Sequence, residues 1–282
     1  MAENNKDKKN TNIKNAETGA EPAKKPDRNS IKTILASIFS LTDDAADSDE
    51  IRTRILDGGR VTGTNACVLF CAIIIASVGL ITNSTAVIIG AMLVSPIMGS
   101  ILGLSYGTVT GSSLIIKRYS LGFLTQIVIS VGTSTLFFLL IPDKQPTSEL
   151  IARTQPDFYD VLIATFGGLA GIIGQTRRDK ANNVIPGVAI ATALMPPLCT
   201  CGYSIANGQW HMLAMAAYLF TINSYFIYTS AEIVLSFLDL PEKKVLTKQA
   251  RKKYIRRKRL ITIIVVIPCF VLLFVRLAME RM

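Results

Sequence analysis

The sequence predicts an all-α fold, a polytopic bundle of about seven transmembrane helices with a 3+3 inverted repeat whose second and fifth helices are broken by proline. Three observations predict it. Half of the 282 residues are hydrophobic while the formal net charge is +10, so charge and apolarity must occupy separate segments, unlike the mixed surface of a soluble domain. Seven apolar runs, at 65–82, 84–107, 119–141, 159–175, 184–207, 212–238 and 260–279, approach or exceed the ~20 residues that cross a bilayer core. Finally, the connections between these runs alternate between basic and Lys/Arg-poor.

The chain begins with residues 1–29, rich in Lys, Asn, Ala and Pro and almost without large apolar side chains. Such a stretch buries too little surface to offset its ordering entropy and predicts a disordered cytoplasmic tail. Residues 30–64 predict a cytoplasmic or interfacial helical segment. Its apolar run "IKTILASIFSL" is too short to span and follows a long charged region, so it resembles neither a signal peptide nor a transmembrane helix and predicts a short helix over 30–41 with Ser30 as N-cap. The core of six spans then covers 65–238, a basic loop 239–259, and the seventh helix 260–282.

Loop charge predicts orientation. Arg52, Arg54 and Arg60 precede the first span, Lys117 and Arg118 follow the second, Arg177, Arg178 and Lys180 follow the fourth, and "EKKVLTKQARKKYIRRKR" follows the sixth. The other connections, "TNST", the 143–157 loop and "NGQWH", carry few cations. Every basic loop falls on one side, so the positive-inside rule predicts an inner (plasma) membrane protein with a cytoplasmic N-terminus and an external C-terminus. The block 243–259 sits beside a span, a position that favours a topology signal and contact with anionic lipids. Nucleic acid is not expected as a partner.

The repeat is read from the second and fifth spans, "VIIGAMLVSPIMGSILGLSYG" and "VIPGVAIATALMPPLCTCGYSIANG". Aligning Pro96 with Pro197 sets Met98 against Cys199, Gly103 against Ser204 and Gly107 against Gly208. The loop charges make the two spans antiparallel, as an inverted repeat requires. A mid-span proline removes a donor and leaves backbone carbonyls that must face protein or water. Ser95 before Pro96 has the form of an N-cap and first-turn proline, so both breaks are expected near the midplane with new helix N-termini pointing inward. Gly99, Gly103, Gly107 and Gly111 form one small-residue face, and Gly167, Gly168, Gly171 and Gly174 another; such faces permit close helix approach and are compatible with a homo-oligomer.

The segments "GLITNSTAVIIGAMLVSPIMGSILGLSYG" and "VIPGVAIATALMPPLCTCGYSIANG" resemble the domain-of-unknown-function 389 family of prokaryotic membrane proteins, from about residue 55 to 237. The resemblance implies an integral membrane protein and carries over no activity and no catalytic residue. Some members of that family have a further soluble domain, whose positions are taken here by the N-terminal tail and the C-terminal extension.

Enzyme chemistry is not expected. His211 lies beside Trp210 in a short loop and reads as an interfacial anchor, and "FGGLAGIIG" lacks the lysine of a phosphate loop. The Cys199-x-Cys201 pair has no third ligand nearby, so neither a metal nor a cofactor is expected, and all five cysteines lie in apolar runs unsuited to disulfides. Spans three and six, "QIVISVGTSTLFF" and "FTINSYFIYTSAEIVLSF", are polar for lipid and should face the bundle or a wet cavity. Glu232 is the one acid well inside a span. Together these features predict a secondary transporter or channel-like permease for a small anion or neutral polar solute. Its pathway would comprise Ser95, Pro96, Gly99, Pro196, Pro197, Thr200, Asn223 and Glu232. The alternative is a non-transporting membrane scaffold or sensor that binds partners or anionic lipids.

Overall fold

The computed structural model describes residues 45–141, 145–178, 184–238, 240, 256, 260, 262, 263 and 267, with backbone alone at 184–193. The tail of 1–29, the helix expected over 30–41 and nearly all of the 239–259 loop lie outside the described residues. The seventh span is represented by positions 260, 262, 263 and 267, all helical. Among the described residues the regular structure is helical throughout, with one isolated bridge between Ala45 and Arg177.

The helices are α1 (Ser48–Gly58), α2 (Gly63–Ile81), α3 (Thr85–Val94), α4 (Ile97–Thr110), α5 (Ser113–Leu140), α6 (Ser148–Ala152), α7 (Phe158–Thr176), α8 (Val184–Ala206) and α9 (Trp210–Phe237). Four of them, α2, α5, α7 and α9, are long and apolar enough to cross a membrane, and the bent pair α3–α4 makes a fifth candidate. Their starts obey local chemistry. Thr62 caps α2 by accepting from Asn65 N, Thr147 caps α6, and Asp157 with Asp160 closes a reciprocal capping box on α7.

The second span is broken where proline dictates. Pro96 has no N–H to offer the Met92 carbonyl, which accepts from Ser95 N instead at 3.2 Å. Ser95 takes the extended conformation (φ −74°, ψ 128°) that the next residue's ring imposes. The result is a bend of 47° between α3 and α4. One detail departs from the sequence reading: Ser95 ends α3, Pro96 occupies the N-cap position of α4, and no side chain caps it.

The fifth span departs further. The expected break is absent, and α8 runs unbroken through Pro196 and Pro197. The reason is packing. Helix α8 contacts α2, α3, α4, α5, α7 and α9, and its residues Leu194 to Ser204 are buried without interruption. Neighbours on every side hold the axis against two missing donors, and Thr200 Oγ1 donates to the Pro196 carbonyl at 2.9 Å. Among the described residues α4, and not α8, supplies a new helix N-terminus at a proline.

Two apolar clusters organise the whole. The central one joins Ala91, Met92 and Ile97 around the break to Leu194, Met195 and Leu198 around the α8 prolines, with Phe138 edge-on to Tyr203 at 5.1 Å. The other docks α1 through Ile51 and Ile55 onto Leu102, Tyr106, Ile172 and Leu235. Arg54 fastens that dock by donating to the carbonyls of Arg177 and Arg178 just past the end of α7, where a cation offsets the helix dipole. At the turn between α2 and α3, Asn83 adopts φ 54°. Its Oδ1 accepts from Ser148 Oγ (2.8 Å) and Glu149 N (3.0 Å) at the start of α6, while Thr85 donates to the Glu149 carboxylate.

Candidate functional site

The site grows from the break. Helix α5 passes it carrying Gln126, Ser130 and Ser134 at successive i, i+4 positions, so the three share one face over ~12 Å of helix, and all are buried. Gln126 Nε2 makes a long hydrogen bond, 3.5 Å, to the Pro96 carbonyl, which fixes the amide with its oxygen turned elsewhere. Gln126 lies at the middle of α5, as the break lies at the middle of the α3–α4 pair.

The two ends of this polar column differ. At the Ser134 end every group is satisfied: Ser134 Oγ donates to the Cys199 carbonyl at 2.8 Å and accepts from Ser77 Oγ at 3.5 Å. At the break end, Ser95 Oγ, Gln126 Oε1 and Ser130 Oγ are buried with no hydrogen-bond partner among the described residues. A buried polar atom left unmatched costs about 1–3 kcal/mol, so three of them, one at the break and two on the α5 helix that bonds the Pro96 carbonyl, form a concentration that dry packing would not favour. Gln126, Ser130 and Ser134 were not singled out in the sequence, where only the polarity of the segment signalled them.

The sequence-predicted residues are only partly brought together. Ser95 and Pro96 lie at the break, where the Pro96 carbonyl accepts from Gln126. Pro196, Pro197 and Thr200 lie on the adjoining α8, but the Thr200 hydroxyl is spent on its own helix. Asn223 is buried at the middle of α9. Glu232, 9% exposed, lies nine residues further on, or ~14 Å along the axis, and its neighbours Ala231, Val234 and Leu235 belong to the cluster that holds α1. Gly99 serves packing: a Cβ there would lie 2.1 Å from the Gly58 carbonyl oxygen.

The remaining glycines also face partners inside the chain. Gly103 lies against the Tyr119 ring, Gly107 against Ile115, and Gly168 against Ile227 and Ser230, while Gly167, Gly171 and Gly174 are buried in α7. Gly111 ends α4 in the left-handed conformation, φ 67°. Cys67, Cys71, Cys199 and Cys201 are free thiols, and no metal-binding group occurs among the described residues.

Four or five membrane-length helices around a polar, proline-broken centre define a multi-pass membrane protein. Residues 92–229 match the model of the family described as a domain of unknown function, DUF389, a match that covers just under half of the chain. It takes in Ser95, Gln126, Ser130, the α8 prolines and Asn223 and leaves out Glu232. The chain is also 25% identical over 226 residues to an uncharacterized protein of Methanocaldococcus jannaschii, covering 80% of this chain and 70% of that one. No solved structure matches the chain at a significant level.

Proposed function

We propose that the protein is a permease that passes a small polar solute through the bundle at the α3–α4 break, using no catalytic residue and no cofactor. The observation that carries this reading is the trio of buried oxygens without a hydrogen-bond partner among the described residues, Ser95 Oγ at a 47° helix break and Gln126 Oε1 and Ser130 Oγ one turn apart on the helix that bonds it. A passing solute would match them in turn. Of the two solute classes the sequence suggested, a neutral solute bearing hydrogen-bond donors suits the trio better than an anion. The Gln126 oxygen is an acceptor, the hydroxyls can accept, and a single helix N-terminus replaces the converging pair an anion would favour.

The wider reading rests on sequence. Loop charge supports seven spans with the N-terminus cytoplasmic and the C-terminus outside, in the plasma membrane. The match of the second and fifth spans supports an inverted repeat, in which only one copy is now broken. The 243–259 block suits anionic lipid and not nucleic acid. A homo-oligomer would need a surface other than the glycine faces, which are used within the chain.

Thiol accessibility tests the proposal. In a chain freed of native cysteines, Ser95→Cys and Ser130→Cys are exposed to a membrane-impermeant reagent from one face of oriented vesicles and then from the other. Labelling at both positions is the expected result, and solute flux should fall when Gln126 is changed to Leu. Protection from both faces in folded protein would sink the permease and favour the non-transporting scaffold.

A further inference from the structure

A second site lies away from the break, where the connector from α1 to α2 crosses the start of α5. Gly59, Arg60, Val61, Arg118, Tyr119, Leu121, Gly122 and Thr125 line a cavity of ≈ 210 Å³ there. That volume is below the ~300–1,000 Å³ of sites for drug-sized ligands, which suits a headgroup and not a whole molecule. Its charge is of one sign. Arg60 and Arg118 are exposed and pair with no carboxylate among the described residues; Asp57, the nearest acid along the chain, does not line the cavity. The polar side chains of the wall are already committed, Tyr119 OH to the Leu56 carbonyl and Thr125 Oγ1 to the Leu121 carbonyl. Two guanidinium forks are therefore the charged donors left to a ligand, and guanidinium matches phosphate oxygens in pairs.

The open side of the cavity runs into lipid-facing surface. Leu121 both lines the cavity and begins an apolar stripe down α5, with Leu121, Leu124 and Val128 exposed by 66%, 56% and 64%. A free phosphate has no use for that stripe, whereas acyl chains do. We propose that this groove binds one anionic phospholipid, its phosphodiester between Arg60 and Arg118 and an acyl chain along Leu121, Leu124 and Val128. The site is independent of the permease reading and distinct from the 243–259 block.

The test is native mass spectrometry of the full chain released from mixed micelles, titrated with dioleoyl phosphatidylglycerol, with dioleoyl phosphatidylcholine, or with inorganic phosphate. Wild type should retain one phosphatidylglycerol in preference to phosphatidylcholine and should ignore inorganic phosphate. Each arginine near an anionic headgroup is worth about fivefold in affinity, so Arg60→Gln with Arg118→Gln should weaken retention on the order of 25-fold. Thr125→Trp, which keeps both charges and fills the exposed groove, should also weaken it and stands in if the double variant misfolds. Lys252→Gln with Lys253→Gln should leave the tightly held lipid unchanged. The proposal is overturned by undiminished retention in the groove variants, by loss only in the 252/253 variant, or by phosphate binding as well as the lipid does.

Discussion

Replacing Gly99 by alanine should unseat α1 while leaving the spans folded. The added methyl would lie 2.1 Å from the Gly58 oxygen, 2.4 Å from its carbon and 2.7 Å from Gly59 N. Ordinary contact needs about 3.5 Å, so the end of α1 must withdraw by roughly an ångström or more. Withdrawal strains or breaks the bond from Ser100 Oγ to the Gly59 carbonyl, 3.1 Å, and the bond from Tyr119 OH to the Leu56 carbonyl. Overpacking costs about 1–3 kcal/mol, two lost hydrogen bonds about 1 kcal/mol each, and alanine returns about 1 kcal/mol of helix propensity. The net loss is about 2–4 kcal/mol, measured as the thermal or denaturant midpoint in mild detergent and as faster amide exchange across 45–58. Gly90→Ala and Gly132→Ala are the matched controls, because a Cβ at either meets nothing within 4 Å, and both should be neutral or slightly stabilising. Equal midpoints for Gly99→Ala and Gly90→Ala would refute the close approach of α1 to α4.

Arg54→Gln should loosen the same dock from its other end, at a cost of about 1.5–3 kcal/mol for its charged hydrogen bonds, seen as faster exchange around Ala46, whose N–H bonds the Thr176 carbonyl at 2.8 Å. Asn83→Ala loses two hydrogen bonds to the start of α6 and puts a Cβ without local support in the left-handed region, for a total of about 2–4 kcal/mol; Asn83→Gly, which loses only the bonds, should melt higher than Asn83→Ala. Gly202→Ala should pry α5 from α8, since its methyl would lie 2.5 Å from the Ser134 Cβ and Oγ. Ser134→Gly in the same chain should recover part of that about 1–3 kcal/mol loss, and strictly additive effects on the melting midpoint would contradict the contact.

Much of the architecture was legible because backbone chemistry is local. Any chain must respond to the proline after Ser95, and here the carbonyl it leaves turns to Ser95 N at the bend, so the break follows from the dipeptide. Pro196 and Pro197 carry the same local signal and fail to break α8, because burial on all sides overrides it, and burial is not written in a dipeptide. The i, i+4 spacing of Gln126, Ser130 and Ser134 was present in the sequence. Spacing tells which residues share a face, but not that the face meets Pro96 at one end and Cys199 at the other. Glu232 drew attention as a lone acid, yet its place follows from the docking of α1, a contact between residues 48–58 and distant helices. Gly99 was read as both pathway and packing residue, and only the apposed Gly58–Gly59 backbone assigns it to packing.

The bend at Ser95–Pro96 has both of its arms tied down. Helix α3 is fastened at its outer end through Asn83 and Thr85 to the start of α6, and α4 is clasped near its own beginning by the glycine turn after α1. A joint held this way acts as a lever with two handles. Any change of angle at the pivot must drag the α6 loop or the α1 collar with it, and a pull on either handle arrives at Gln126 in the middle of the bundle.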